Sequence, residues 1–262
     1  MILSRTIEHL KQQHWTGVFI ELVIVILGVF IGIQVSNWNQ SREDARLGQD
    51  YVRRLTFDLK GDLVKAREQT VYYENVFQAV QHTAEVLKEQ DSDPKDLVIS
   101  AYRATEVIFR PPNLATWNQI VSSGHLELLP KGAIEGGLAD YYAYNGTLDA
   151  YNQLKGARYR RLVRSIIPIS IQKAIRAGCS DIRDSEGFAF RFMKQCKLDA
   201  DPALVRSTAQ ALRNNPKVAT ALRFQYSLLA SGVPNFKANV TVISKALAAL
   251  GVHSDESKDA RP

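Results

Sequence analysis

The sequence predicts an all-α protein in which one N-terminal transmembrane helix is followed by an antiparallel helical bundle domain with long helices. Three observations support this: one early apolar run, apolar residues spaced by three and four beyond it, and no sustained alternation of apolar and polar residues. A length of 262 residues suits one domain with an appendage. The predicted parts are an amphipathic interfacial segment (1–14), a transmembrane anchor (15–38), an extramembrane helical domain (39–252) and a disordered tail (253–262).

The apolar run from Val18 to Val35 reads VFIELVIVILGVFIGIQV. At ~1.5 Å per residue it extends ~27 Å, close to the ~30 Å hydrocarbon core of a bilayer. Trp15 and Trp38 bracket it at the depths where interfacial aromatic residues are enriched. A cleaved signal peptide is the alternative, but the run ends without the pair of small residues that a cleavage site requires. We therefore expect the segment to remain as an anchor.

Charged residues flank the run on both sides and leave its direction open. Arg5 and Lys11 precede it, and more basic residues follow it, namely Arg42, Arg46, Arg53 and Arg54. Basic residues alone favour a cytoplasmic domain, but long domains cross membranes largely regardless of their charge. We predict a bacterial inner-membrane protein with its N-terminus inside and its domain in the periplasm. Residues 1–14 then either lie on the inner surface or continue the span.

One face of the predicted span collects its glycines and its only carboxyl group. At ~100° per residue, Gly17, Gly28 and Gly32 lie within ~40° of Glu21. The last two glycines form a GxxxG motif, which lets another helix approach closely. Glu21 either contacts a partner helix or reaches the lipid headgroups. We predict that these four residues form a helix-association face for a second copy of the chain or a partner membrane helix.

The same segment resembles the membrane signature of a bacterial single-pass family of unknown function. Its members pair a Gly-x-x-x-Glu apolar helix with a closing Gln-x-x-Asn-Trp-Asn-Glu, and here residues 17–21 read GVFIE and residues 34–39 read QVSNWN. Gln40 and Gly32 stand where the family usually has Glu and Ala. Residues 116–129 are similar to a second, looser stretch of the family. The resemblance implies a bacterial membrane setting and a helical architecture, and it supplies no catalytic residues.

Apolar spacing and turn residues divide the rest of the chain into successive helices. The first is a long amphipathic helix that includes Val52 and Leu87 and stops before Pro94. Further helices are predicted at 96–105, 113–122, 131–164 and 202–213, and on either side of a break at 232–234, up to Leu250. Pro168 ends or kinks the helix predicted at 131–164. Strands are not expected, because no segment alternates at period two for long.

The two cysteines, Cys179 and Cys196, belong to neither a CxxC motif nor a histidine-containing metal spacing. In an oxidising compartment they would form a disulfide that contributes ~3 kcal/mol, whereas in the cytosol they would remain buried thiols. The predicted topology favours the disulfide. No metal site is expected.

A basic segment begins after Asp149 and continues without an acidic residue to Asp181. Its first members are Lys155, Arg158, Arg160, Arg161 and Arg164. One interpretation is contact with an anionic surface, either lipid headgroups or an anionic envelope component. The other is a solvated helix face paired with carboxylates of the first long helix. A periplasmic domain disfavours nucleic acid as a partner.

Motifs that carry catalysis are missing from the sequence. It has no HExxH, GxSxG, Walker-type or GxGxxG motif, and no cofactor is implied. His125 lies in a motif-like loop, but the sequence places no acid or nucleophile beside it, so packing is the simpler interpretation. A group of tyrosines either lines a ligand pocket between helices or packs in the core: Tyr141, Tyr142, Tyr144, Tyr151 and Tyr159.

These features predict a membrane-anchored, non-catalytic helical interaction or scaffold module, which acts through helix association in the membrane and contacts outside it. Membrane lipid and a homo-oligomer or partner helix are its expected partners. The alternative is a ligand-sensing extracytoplasmic helical domain that signals through a partner protein. A ligand in the tyrosine-lined region would favour that alternative, whereas an enzyme would need a cleft of converging titratable groups.

Overall fold

In the computed structural model helices make up most of the chain, which confirms the predicted helical class apart from one short hairpin. The structure describes residues 15–179, 181–184 and 187–252, so the predicted interfacial segment (1–14) and tail (253–262) lie outside the described residues. In chain order the elements are α1 (Trp15–Val86), α2 (Pro94–Arg103), α3 (Ala115–Ser122), a 3₁₀ turn (Leu126–Leu128), a π-helical turn (Ile134–Leu138), α4 (Ala139–Ala143), α5 (Gly146–Lys155), α6 (Arg158–Ile166), α7 (Ile169–Gly178), β1 (Asp181–Arg183), β2 (Ala189–Phe192), α8 (Pro202–Asn214) and α9 (Pro216–Ala249).

Helix α1 is one unbroken element of 72 residues, ~107 Å long. No proline interrupts it, and no joint separates the predicted anchor from the predicted domain helix at Asn39. Its early part contains an 18-residue window of mean hydropathy 2.4, none of which is buried against the rest of the chain. This segment is therefore long and apolar enough to cross a membrane. The remainder of α1 continues directly into the folded domain.

The last helix returns along α1 in the opposite direction. Phe236 of α9 stacks on Tyr73 in the later part of α1, with ring centroids 4.0 Å apart. Further along α9, Ile243 belongs to a separate buried cluster with Leu55 and Leu59 of the earlier part of α1. The two helices are therefore antiparallel. Several of the shorter helices pack against one or both of them.

Helix α9 runs through Pro234, so the predicted break at 232–234 is wrong. A proline removes one backbone hydrogen bond and costs ~3 kcal/mol inside a helix. Its neighbours Val233 and Phe236 are buried in the core. Burial of such side chains stabilises by ~1.5–3 kcal/mol each, which offsets the cost of the proline.

The continuous helix predicted from 131 to 164 is also wrong. The stretch is divided into the π-helical turn, α4, α5 and α6. The first division lies at Gly137, whose φ of 154° and close approach to α9 both require glycine. A Cβ there would lie 2.9 Å from the backbone nitrogen of Ala246. The periodic apolar stripe therefore reflects successive short helices that contribute to the same core.

Strands β1 and β2 contradict the expectation of a strand-free domain. They pair antiparallel, with Asp181 opposite Phe192. With three and four residues, they are too short to produce a detectable period-two pattern.

The ends of the segment that contains this hairpin are fastened together. A disulfide joins Cys179 to Cys196. Beside it, the Lys197 N–H donates to the Gly178 carbonyl at 3.0 Å. A Cβ at position 178 would lie 1.8 Å from the Lys197 carbonyl oxygen, so this close approach of two backbone segments requires glycine.

Two buried carboxylates of α1 hold the segment that follows α2. Asp58 accepts hydrogen bonds from Asn113 Nδ2 at 2.7 Å and Thr116 Oγ1 at 2.5 Å. One turn later, Asp62 accepts from the Tyr141 hydroxyl at 2.7 Å and the Asn113 N–H at 2.8 Å. Because both carboxylates are removed from water, these donors replace their hydration. The loop before α3 is thereby fixed against α1.

We predict that Asp62→Ala lowers the free energy of unfolding by about 3 kcal/mol, because two buried donors lose a charged acceptor. The measurement is urea unfolding of the detergent-solubilised chain, followed by circular dichroism. Asp140→Ala is the matched control, since Asp140 pairs with Lys245 at 2.6 Å but both side chains are exposed. It should change stability by less than about 0.5 kcal/mol. Equal losses in the two variants would contradict the role of the buried carboxylate.

Candidate functional site

The fold divides the predicted basic surface into an outward and an inward set. Lys155, Arg158 and Arg161 are exposed. Arg160 and Arg164, on the other side of α6, are only partly exposed and turn toward α2. The division follows from the amphipathic character of α6, whose buried face lies on the core. The five residues therefore do not form one surface.

The inward arginines meet α7 at the hydroxyl of Tyr102. Arg164 Nη1 and Arg176 Nε each donate to that oxygen at 2.9 Å. Arg164 also lies 2.9 Å from the Glu106 carboxylate, so its acidic partner comes from the segment after α2, not from α1. Arg160 donates to the carbonyl of Thr105. Both lone pairs of the Tyr102 oxygen are thus used, and its hydroxyl hydrogen is the hydrogen-bonding group that remains.

Next to this cluster a cleft of about 340 Å³ opens between the end of α2 and the β1–β2 hairpin. Arg103 and the stretch 106–110 line it on the side of the chain that follows α2. The end of α7 with Cys179, the hairpin and Tyr72 of α1 provide the rest of the lining. Apolar and aromatic side chains also line it, namely Val107, Ile108, Phe109, Ile175 and Phe188. The cleft therefore combines an apolar interior with charged groups.

One arginine of the cleft is held by two carboxylates. Arg110 is buried and pairs with Glu68 of α1 and, at 2.6 Å, with Asp184 beyond β1. Its guanidinium also lies 4.8 Å from the centroid of the Phe188 ring. These contacts tie the hairpin to α1, so Arg110 has a structural role in shaping the cleft.

Arg103, Arg176 and Arg183 also line the cleft, and within the described residues none of them forms an ion pair with a carboxylate. Their hydrogen bonds go to neutral oxygens: the Met193 carbonyl at 2.7 Å, the Tyr102 hydroxyl at 2.9 Å and the Gly187 carbonyl at 2.7 Å. The Nε atoms of Arg103 and Arg110 are buried and have no hydrogen-bond partner in the described part of the chain. Buried donors of this kind are rare in native proteins.

The carboxyl group of Asp181 lies at the edge of this arginine set. Burial, and secondarily the nearby Glu106, raises its pKa to about 6. A hydrogen bond from the Tyr72 hydroxyl at 3.3 Å and the charges of Arg183 and Arg103 oppose that rise. Desolvation penalises the charged form of a carboxyl group and is the larger effect here.

The predicted tyrosine pocket is only partly realised. Tyr159 is fully buried in the core, and Tyr151 stacks on Phe109 at a centroid distance of 5.1 Å. A second cavity, of about 270 Å³, lies between α1 and the segments before α5. Its aromatic lining includes Tyr141, Tyr142 and Tyr144. Three of the five tyrosines thus share a cavity, whose lining also includes Asp62, Lys65 and Arg110.

The predicted association face lies on the early part of α1. Glu21 is exposed, and nothing lies within 4 Å of a Cβ added at Gly28 or Gly32. Gly17 is in the same helix. The described part of the chain therefore leaves room for another helix along this face.

Later in α1, three large apolar side chains are exposed at intervals of seven residues. Phe57 is 78% exposed, Val64 51% and Val71 43%. Gly61 lies between the first two and has open space beside it. The three side chains lie on one face of the helix, ~10 Å apart along its axis.

Other polar groups have structural partners. His125 Nδ1 lies 2.9 Å from the Tyr51 hydroxyl, as expected for a packing residue. Among the described residues no group of three or more histidines, cysteines and acidic residues is placed to hold a metal ion.

The arginine-lined cleft was not predicted from the sequence. Tyr102 and Arg176 are 74 positions apart, and no local motif links them. The absence of acidic residues from 150 to 180 was the one available signal, but it does not tell which arginines turn inward.

Comparisons with models of known protein families, with curated proteins and with solved structures find no match to this chain.

We predict that Asp181→Asn raises stability at about pH 7.5 by about 1 kcal/mol, after allowance for solvent screening, and has no effect near pH 4. A carboxyl whose pKa is raised on folding, from ~3.9 to about 6, loses its share of stability as the pH rises through that range. Unfolding free energies measured across this range test the effect. Asp91→Asn, at an exposed site, is the control. A difference between Asp181→Asn and the parent that does not vary with pH would contradict the raised pKa.

Proposed function

We propose that this chain is a membrane-anchored, non-catalytic interaction module that pairs with a second copy of itself along the outer face of α1. The anchor is inferred from the exposed apolar segment at the start of α1. Transfer of such a segment from water to lipid is strongly favourable. A bacterial inner membrane and a periplasmic domain are part of the proposal, and the disulfide between Cys179 and Cys196 suits that compartment.

The observation that carries the pairing is the rotational alignment of two separate features on one helix. At ~100° per residue, Val64 returns to the angle of Gly28, and Phe57 and Val71 lie ~20° to either side of it. The glycine stripe and the exposed apolar residues therefore follow one line along α1. From Gly28 to Val71 this line extends ~65 Å.

The domain does not obstruct that line. Leu55 and Tyr73, which are fully buried, lie ~180° from Gly28 by the same measure. Because α1 is unbroken, the side that enters the core and the side that carries the glycines are opposite. A second helix can approach the outer face while both domains remain on the outside of the pair.

The partner must fit the same line over its whole length. It has to offer a helix that enters the lipid and continues from it in the same direction as α1. A second copy of this chain meets both requirements by construction, with equivalent residues at equal height. We therefore favour self-association over an unrelated membrane helix.

Some of the charges beside the line suit a parallel pair. At ~100° per residue, Arg42 and Lys60 lie on one border of the face and Glu43 on the other, while the exposed Arg46 lies on the line itself. Parallel packing about a two-fold axis brings opposite borders together, as in coiled coils. Other charges of this part of α1 have partners within the chain: Asp50 pairs with Arg53, Glu68 pairs with Arg110, and the Arg54 guanidinium donates to Gln119 at 2.7 Å.

The test is cysteine crosslinking of the full chain in membranes. Val64→Cys should give a crosslinked dimer under mild oxidation, whereas Arg206→Cys, at an exposed site on α8, should give little. In the Val64→Cys background, Gly28→Ile should lower the yield at least about fivefold, because its side chain blocks close helix approach. Leu27→Ile is the matched control, since it adds no bulk and lies ~100° from the stripe. Equal yields from these two variants, with both inserted and folded, would contradict pairing through this face.

The anchor and its direction are tested separately. Protease added outside intact spheroplasts should digest the domain. Unreduced protein from the same membranes should yield a peptide in which Cys179 is linked to Cys196. Protection of the domain, or free thiols at both positions, would place the domain in the cytoplasm and overturn this part of the proposal.

The second candidate function is ligand sensing by the domain outside the membrane. The observation that favours it is the arginine-lined cleft, whose charged groups are not all paired within the described residues. The tyrosine-lined cavity, where a ligand was expected from the sequence, offers fewer charged groups than this cleft. Pairing along α1 and binding in the cleft are compatible, because they use different surfaces.

A further inference from the structure

The cleft beside the hairpin has the size and chemistry of a small-molecule site. Its volume of about 340 Å³ lies within the range of ligand pockets, ~300–1,000 Å³. Its walls come from separate parts of the chain, and the disulfide and the Arg110 ion pairs hold them in place. Ligand pockets commonly combine such an apolar lining with a few oriented polar groups.

The polar groups of the cleft are predominantly donors. Arg176 and Arg183 are exposed and line the cleft, and within the described residues each donates to one neutral oxygen, so their further N–H groups have no acceptor among those residues. Exposed guanidinium N–H groups in a cleft can donate to a ligand, and guanidinium groups match carboxylate and phosphate oxygens best.

Two carboxyl groups in the same cleft restrict the charge of that acceptor. Glu106 and Asp181 both line it. Their charges repel a dianion such as a phosphate monoester more strongly than a monoanion. The aromatic rings of Phe109 and Phe188 suit an apolar body attached to the anionic group.

We infer that this cleft binds a small organic carboxylate, with the carboxylate at Arg176 and Arg183 and its apolar part between Phe109 and Phe188. The inference does not depend on pairing along α1. It adds a binding site and a ligand class to the interaction module.

Benzoate is the probe, used with the full chain in detergent or nanodiscs and measured by isothermal titration calorimetry. Saturable binding at one site per chain is expected. Benzamide has the same shape without the charge, and acetate has the charge without the ring, so both should bind at least about tenfold more weakly. Phenyl phosphate, a dianion near neutral pH, should also bind more weakly.

Arg176→Gln and Arg183→Gln should each weaken benzoate binding at least about tenfold. Lys173→Gln removes the same charge from an exposed position on α7 outside the cleft, and it should leave the affinity unchanged. Thermal unfolding of each variant shows whether a loss of benzoate affinity is due to misfolding. The inference is judged on the arginine variant whose unfolding midpoint is unchanged. No saturable benzoate binding at millimolar concentration, or equal affinities for the arginine and lysine variants, would overturn the inference. Tighter binding of phenyl phosphate would overturn the ligand class.

The pH dependence provides an independent readout. Asp181 faces Glu106, Tyr72, Arg103, Arg176 and Arg183. A bound carboxylate adds negative charge beside it and favours its protonated form, so binding should take up protons. Benzoate affinity should rise severalfold between about pH 7.5 and about pH 5.5, and Asp181→Asn should abolish that rise. A pH profile that is the same in parent and variant would exclude binding next to Asp181.

Discussion

The continuity of α1 is the constraint on which the rest of this structure depends. One helix supplies both the exposed apolar segment and, through Leu55, Leu59 and Tyr73, the wall of the core. A helix cannot rotate one part of itself relative to another without breaking hydrogen bonds, so the orientation of the early segment is fixed by the packing of the later one. For this reason, the face of the early segment that contacts no other part of the chain can be aligned with the uncovered face of the later segment.

Polar groups, rather than apolar packing alone, determine how the shorter segments attach to this helix. Asp58 and Asp62 hold the loop before α3, and Arg110 joins Glu68 to the end of β1. Asp58, Asp62 and Arg110 are buried, so a missing partner would cost more than the bond itself contributes. Such contacts favour one arrangement of the short helices, whose apolar faces alone would tolerate several.

The sequence was sufficient for features that depend on neighbouring residues. The apolar segment and the helix predicted at 202–213 follow from local patterns and are present. The failures at Pro234 and Gly137 have a common cause, because tertiary contacts with α1 and α9 override the local signal. The arginine cleft could not be predicted, since Tyr102 and Arg176 meet only after α2 and α7 have been placed on the core. For the proposed association face, the sequence predicted the glycines and Glu21, but only the unbroken helix relates them to Phe57 and Val64.

The length of α1 also determines how far the domain's charged surfaces stand from the anchor. Tyr72, at the cleft, lies roughly 34 residues beyond Trp38, or ~51 Å along the helix axis. The cluster that contains Tyr159 of the basic helix α6 packs against this same distant part of α1. Electrostatic attraction in physiological salt decays over ~8 Å. If the anchor lies in a bilayer, this distance exceeds the screening length several times, so electrostatic attraction to the headgroups of that bilayer does not reach the exposed Lys155, Arg158 and Arg161.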